Sequence, residues 1–329
     1  MTNDDSRSRE RAWSGYWGTG ALHSLAGSFQ GNYTGPIRAF WEQAFKPLEP
    51  GDRVLDVGTG NGALPALLVE LQPASGAEID AIDLAVIVPA WLADTPAQVQ
   101  QRVRFHGGVS AEDLPFPDGH FDLVVSQYGI EYTDHAGSIA EVARSLRPGG
   151  RCAFVLHHAG AHLHAVARDE VAAARLLLGE EGLLQRAAPL LPFLARAATG
   201  QVEQLRADPE ANRVRAAYNL AVQAVEQAAG SIQHPQLLLD ARQWVSGMAN
   251  AVAQGQADAA TAGARLADYR RDIELAQVRS RELCSHALDA AGLARFSGLL
   301  EAAGMRDVAT APLHHQQYLV GWTLRATRA

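Results

Sequence analysis

Short apolar runs of strand length recur along the chain at Val54–Val57, Ala77–Leu84, Arg102–His106, Phe121–Ser126 and Arg151–His157. Between them, Pro36–Phe45, Leu64–Leu71 and Gly137–Leu146 carry apolar residues three and four positions apart, the spacing of helices with one buried face. A further helical stretch, Leu288–Ala303, precedes two alternating runs, Arg306–Pro312 and Gln317–Arg325. Strands separated by helices predict an α/β chain built on a largely parallel sheet.

Two regions depart from this rhythm. Residues 1–12 are charged and read as disordered, and Trp13–Tyr33 is rich in Gly, Ser and aromatic residues, without enough periodicity for a helix. Its aromatic rings need a surface to cover. A flap over a ligand pocket and an arm packed on the core or on another subunit are both open readings. From about Ala161 to Ser285 the chain turns into long Ala-, Leu-, Arg- and Glu-rich runs, broken at Gly179, Gly182, Pro189, Pro192, Gly200, Pro209, Gly230 and Pro235. Several helices are implied, serving as a substrate lid, a dimer interface or both.

The stretch with the most chemistry in it is VLDVGTGNGALP, Val54–Pro65. Its three glycines, Gly58, Gly60 and Gly62, permit a sharp turn and close approach of a ligand to backbone. The helix that follows offers free N–H groups at its start. Asp56 is the one charged residue in an apolar strand, and a buried carboxylate needs partners: loop backbone groups or a donor on a ligand. Gly58, Gly60 and Ala63 also satisfy the dinucleotide-binding spacing GxGxxG/A. Asp83, near the end of the second strand, suits either the two hydroxyls of a ribose or a helix cap.

Composition narrows the partners. The chain of 329 residues has a formal net charge of −8, and Lys46 is its only lysine. Its helical stretch, 161–285, balances thirteen arginines against fourteen acidic residues. No nucleic-acid partner is expected from this balance. No run is long and apolar enough to span a bilayer, so no membrane partner and a cytoplasmic location are the expectations. Cys152 and Cys284 lie far apart and outside any metal-ligand spacing, which argues against a disulfide framework. His157, His158, His162 and His164, with His314 and His315, have no interleaved carboxylate, so no metal site is expected; one of His157 and His158 is expected to face a pocket.

Three ordered features, VLDVGTGNG, SAEDLPFPDGHFD (Ser110–Asp122) and LRPGG before a strand, together resemble the class I S-adenosylmethionine-dependent methyltransferases of the ubiquinone-biosynthesis-like type. The resemblance covers Val54–His157 and Leu288–Arg325. It implies a Rossmann-like, doubly wound, seven-stranded sheet, mostly parallel with an antiparallel last strand, interrupted by a large helical insertion before the final strands. The implied organisation is an N-terminal arm and helix over 1–48, a cofactor-binding core over 49–160, the insertion over 161–285 and completion of the sheet over 286–329.

Carried over residue by residue, Asp56, Gly58, Thr59, Gly60 and Gly62 would hold the methionine part of S-adenosylmethionine, Asp83 the ribose, and Leu84, Ser110 and Ala111 the adenine. Ser110 stands where the family commonly has an acidic residue, so a charge-assisted contact is missing there. Gln127 and Tyr128 would lie beside the sulfonium, with Tyr33, Tyr128 and Tyr132 as substrate-pocket candidates. The family's Asn/Asp-Pro-Pro-aromatic motif for planar nitrogens is absent. His157, His158 and Glu131 are the candidate general bases for a hydroxyl acceptor. The expectation is O- or N-methylation of a small aromatic or apolar metabolite, releasing S-adenosylhomocysteine, by a chain able to form a homodimer through its insertion. A methyltransferase acting on protein or RNA, and a non-catalytic S-adenosylmethionine-binding regulatory or scaffolding protein, are the alternatives.

Overall fold

A computed structural model of the chain describes residues 3–24, 31–73 and 76–329, with side chains from residue 8 onward. Residues 1–2 and 25–30, part of the expected N-terminal disorder and flap, lie outside the described residues.

The first element corrects the sequence reading. In place of disorder and an irregular arm, α1 spans Asn3–Trp17. Its inward face is a single file at four-residue spacing, Arg9, Trp13 and Trp17, with Ala12 beside it wholly buried. An arginine at the first step breaks the apolar pattern, although its hydrocarbon stem covers surface as an apolar chain does. Next, α2 (Gly35–Phe45) has Pro36 in its first turn and buries Ile37, Phe40, Trp41, Ala44 and Phe45.

The core follows in the expected alternation: β1 (Arg53–Val57), α3 (Ala63–Leu71), β2 (Glu78–Asp83), the short α4 (Ala97–Arg102), β3 (Val103–Gly107), β4 (Phe121–Gln127), α5 (His135–Ser145) and β5 (Leu146–Leu156). Strand β5 starts earlier than the LRPGG turn suggested. Leu146 pairs with Phe121 and Arg151 with Leu123, so Arg147–Gly150 bulge out between two paired stretches.

Helices then dominate: α6 (His162–Leu178), α7 (Leu183–Ala187), α8 (Leu191–Ala198), α9 (Val202–Ala207), α10 (Pro209–Ala229), α11 (Gln236–Ala253) and α12 (Ala259–His286). The breaks fall at the glycines and prolines. At one of them Asp208 caps α10, accepting hydrogen bonds from the N–H groups of Glu210 (3.0 Å) and Ala211 (3.2 Å) with Pro209 in the first turn. After α13 (Ala290–Ala302), β6 (Met305–His315) and β7 (Tyr318–Arg328) close the sheet.

The strand order is β3-β2-β1-β4-β5-β7-β6. All pairings are parallel except those of β7, which runs antiparallel to both neighbours. The central strands are buried on both faces, which is why they read as apolar runs. On one face Leu55, Val57, Val124, Phe154 and Leu156 pack with residues of α5 and α13. On the other Val54, Val125, Ala153 and Val155 pack with α2 and α3.

The chain forms two compact units, residues 1–164 with 282–329, and residues 165–281. The second has its own core, including Leu177, Leu184, Val225, Val245, Leu266 and Ile273, with Trp244 and Tyr269 stacked 4.3 Å apart. In the first unit, the backbone beyond β5 is tied to the segment before α13: the Leu288 N–H donates to His157 O at 2.9 Å and the Ala159 N–H to Leu288 O at 3.0 Å.

Candidate functional site

The carboxyl ends of β1, β2 and β4 meet at one pocket, where ligands of open α/β sheets bind. The glycine loop after β1 makes its floor. The N–H groups of Gly58 and Thr59 both donate to Ile82 O at 3.0 Å, bending the loop towards β2. Asp83 completes the tie: its Oδ2 accepts from the Gly60 N–H and its Oδ1 from the Ala85 N–H, each at 2.8 Å. Each oxygen keeps a second lone pair for a ligand hydroxyl. Burial pushes the Asp83 carboxyl above the usual range, the two N–H groups opposing it.

Two of the glycines have φ angles and neighbours that exclude a side chain. Gly58, at φ 69°, crosses Gly129, whose Cα would sit 2.9 Å from an added Cβ. Gly60, at φ 55°, lies under the Trp17 ring, 2.5 Å from where a Cβ would be. Gly60 and Gly62, expected to touch a ligand, do not line the pocket; the Trp17 and Phe105 rings fill the space over them. Their part is to turn the loop.

Asp56, Gly58, Thr59, Asp83 and Leu84 line the pocket, as do Ser110, Ala111, Gln127 and Tyr128. Tyr33 and Tyr132 border it too. The candidate bases Glu131, His157 and His158 do not. Glu131 Oε1 accepts from the His157 backbone N–H (2.8 Å) and from Nδ1 (2.7 Å), and the His157 ring packs 4.2 Å from that of Tyr128. The pair therefore supports the tyrosines from behind. His158 stacks on Trp322 at 4.2 Å and accepts from the Gly160 N–H at 2.7 Å.

Several buried polar atoms at the pocket have no hydrogen-bond partner: both carboxylate oxygens of Asp56, the Thr59 hydroxyl and the Gln127 Nε2. Orphaned buried groups are rare and costly. Burial pushes the Asp56 carboxyl up to about 7; the nearby Thr59 hydroxyl, not in hydrogen-bonding geometry with it, opposes this in part through its dipole, and the Asp83 charge adds to it. In register, Asp56 pairs with Val125, two residues before Gln127. Asp56 and Gln127 therefore share one face of the sheet. An acceptor of N–H groups beside an amide donor and a hydroxyl suits the ammonium and carboxylate of an amino acid, which S-adenosylmethionine carries. The residues present fit that cofactor.

Helix α1, not expected from the sequence, contributes Arg9, Glu10, Trp13 and Trp17 to the pocket wall. Arg9 forms an ion pair with Glu282 and donates from Nη1 to Tyr132 O at 2.9 Å. Asn61 was also missed. Its Nδ2 donates to Trp17 O (2.9 Å) and Ala21 O (2.8 Å), and its Oδ1 accepts from the Val88 N–H (2.8 Å). The four-residue spacing of Arg9, Trp13 and Trp17 was the available signal for the first; nothing marked the second. Among the described residues, no group of three or more His, Cys, Asp or Glu side chains is placed to hold a metal, and no helix is long and apolar enough to cross a membrane.

Residues 55–154 match the family model described as a methyltransferase domain. This segment is a class I, S-adenosylmethionine-dependent methyltransferase domain. An uncharacterised methyltransferase of Mycobacterium tuberculosis is 39% identical to the chain over 103 residues, 31% of this chain and 39% of the relative. The demethylmenaquinone methyltransferase of Thermus thermophilus is 40% identical over 103 residues, 30% of this chain and 44% of its own. The chain thus spans less than half the length of these curated relatives. A solved S-adenosylmethionine-dependent methyltransferase from Mesorhizobium loti is similar at 26% identity, over 36% of this chain and 52% of that one, with a TM-score of 0.31. The methyltransferase domain holds all eleven predicted cofactor residues, while α1 and Tyr33 precede it.

Proposed function

We propose that the chain transfers a methyl group from S-adenosylmethionine to a small aromatic or apolar acceptor. The observation that carries this reading is the pocket's double character. Asp56, Thr59 and Gln127 present unsatisfied polar atoms matched to an amino-acid end, and Trp13, Trp17, Tyr33, Tyr128 and Tyr132 give the same pocket an aromatic wall. The likeness to a demethylmenaquinone methyltransferase supports an apolar acceptor.

When bound, the cofactor supplies a methyl already activated by a sulfonium. The chain's own residues then bind and orient. Asp56 accepts N–H donors, Asp83 accepts hydroxyls, and Tyr128 and Tyr132 exclude water from the acceptor's side. Burial first, and then the Glu131 charge, raise both phenols, so they act as neutral groups. Holding nucleophile and methyl carbon in line is worth about 7–11 kcal/mol, so alignment does most of the work. Glu131 and His157 act by fixing Tyr128 and Tyr132, and His158 lies outside the pocket wall.

Calorimetry with S-adenosylmethionine and S-adenosylhomocysteine, followed by a screen of phenols, hydroquinones, amines and thiols for S-adenosylhomocysteine release, tests the reading. Binding with turnover on small aromatic acceptors is expected. Transfer only to RNA or protein overturns the acceptor class. Binding without turnover on any acceptor assigns the chain to regulation or scaffolding.

A further inference from the structure

The side chain of Gln127 is buried, 8% exposed, and its orientation is set by a residue outside the matched domain. The indole Nε1 of Trp41, on α2 and wholly buried, donates to Gln127 Oε1 at 2.6 Å. An indole N–H is a donor only, so the amide must turn its oxygen to it and its NH2 group the other way. That NH2 has no hydrogen-bond partner although the pocket runs past the residue. The neighbouring Tyr128 hydroxyl gives its own hydrogen to Val320 O at 2.9 Å.

We infer that Gln127, locked by Trp41, is the group that reads the cofactor's α-carboxylate, making the site selective for a carboxylate-bearing sulfonium over its decarboxylated counterpart. The inference rests on the proposed function. Three features support it. The amide presents two N–H donors from one rigid position, Asp56 on the same sheet face offers the acceptor for the adjoining ammonium, and the Thr59 hydroxyl completes a zwitterion-shaped set. A ligand lacking the carboxylate leaves the buried amide hydrogens unsatisfied, and recognition sites built on such donors discriminate strongly against analogues that lack the partner. Trp41 is a positioning residue: without its N–H the amide can rotate by half a turn and present its oxygen, which repels a carboxylate.

The test compares calorimetric affinities of the full chain for S-adenosylmethionine and decarboxylated S-adenosylmethionine. The native chain is expected to prefer the former by about 10- to 100-fold. Gln127→Met keeps the side-chain length and removes both donors; the preference then falls to near unity, with affinity for the decarboxylated ligand unchanged. Gln127→Glu inverts the preference, since the Trp41 N–H holds one carboxylate oxygen and the other faces the ligand. Trp41→Phe cuts the preference about three- to tenfold, and the two Gln127 variants keep the test intact if that core substitution disturbs packing. A preference unchanged in Gln127→Met, or equal losses for both ligands, overturns the inference alone. A native chain that binds neither ligand overturns the proposed function as well.

Discussion

Asp83 Oδ2 and the backbone N–H of Gly60, 23 residues apart in sequence, are joined at 2.8 Å. The bond ties the end of β2 to the middle of the glycine loop, so the residue expected to hold ribose also shapes the loop that would hold methionine. Asp83→Ala removes this bond and the one to the Ala85 N–H. Hydrogen bonds to a charged group contribute about 1.5–3 kcal/mol. We expect at least a tenfold loss of S-adenosylhomocysteine affinity by calorimetry, on the order of one such bond, together with a lower denaturant midpoint. Unchanged affinity would show that the loop keeps its shape without Asp83.

Gly60→Ala places a methyl group where the Trp17 ring stands, at a backbone conformation that side chains seldom adopt. Strain of this sort costs about 1–3 kcal/mol. Its local effect is expected in α1, whose amide hydrogens should exchange faster while those of β1 and β4 stay protected. Equal acceleration throughout the sheet would mean global destabilisation.

Asp56 makes both binding and stability depend on pH. Its folded carboxyl is raised to about 7 from an ordinary value of 3.8. Below 3.8 both folded and unfolded chains hold the proton; between 3.8 and 7 the unfolded chain releases it first. Stability without ligand therefore falls as pH rises through that window, by about 1.4 kcal/mol per unit, and levels above it. Cofactor affinity runs the opposite way, rising towards neutral pH as Asp56 ionises to take the ammonium. Calorimetry in two buffers of different ionisation enthalpy should register proton release on binding at pH 6, and Asp56→Asn should abolish that release while stabilising the free chain at pH 8.

The sheet was legible because its strands are buried on both faces and punctuated by glycine and proline. Runs such as Phe121–Ser126 and Arg151–His157 read as strands without help from neighbours, close to the observed β4 and the second half of β5. Asp56 and Asp83 stood out as charges at strand ends. The helix α1 did not, since its inward file opens with Arg9, whose stem is apolar and whose head pairs with Glu282 far along the chain. Asn61 and Trp41 escaped for a related reason: their importance lies in hydrogen bonds to Trp17, Ala21, Val88 and Gln127, partners that only folding brings near. The placing of Glu131 and His157 behind Tyr128 is a matter of depth, which one-dimensional spacing does not encode.

The hydrogen bonds joining His157 and Ala159 to Leu288 have a consequence for how this chain could vary. They fasten the two strands of backbone at the neck through which the helical segment leaves the sheet and returns. Because doubling the length of a closed loop costs only about 0.6 kcal/mol, the entropy of closing the chain at that neck changes little with the length of the segment held beyond it. The fastening closes the backbone of the first unit on itself at that point, so residues 157–159 and Leu288 hold the two ends of the segment together.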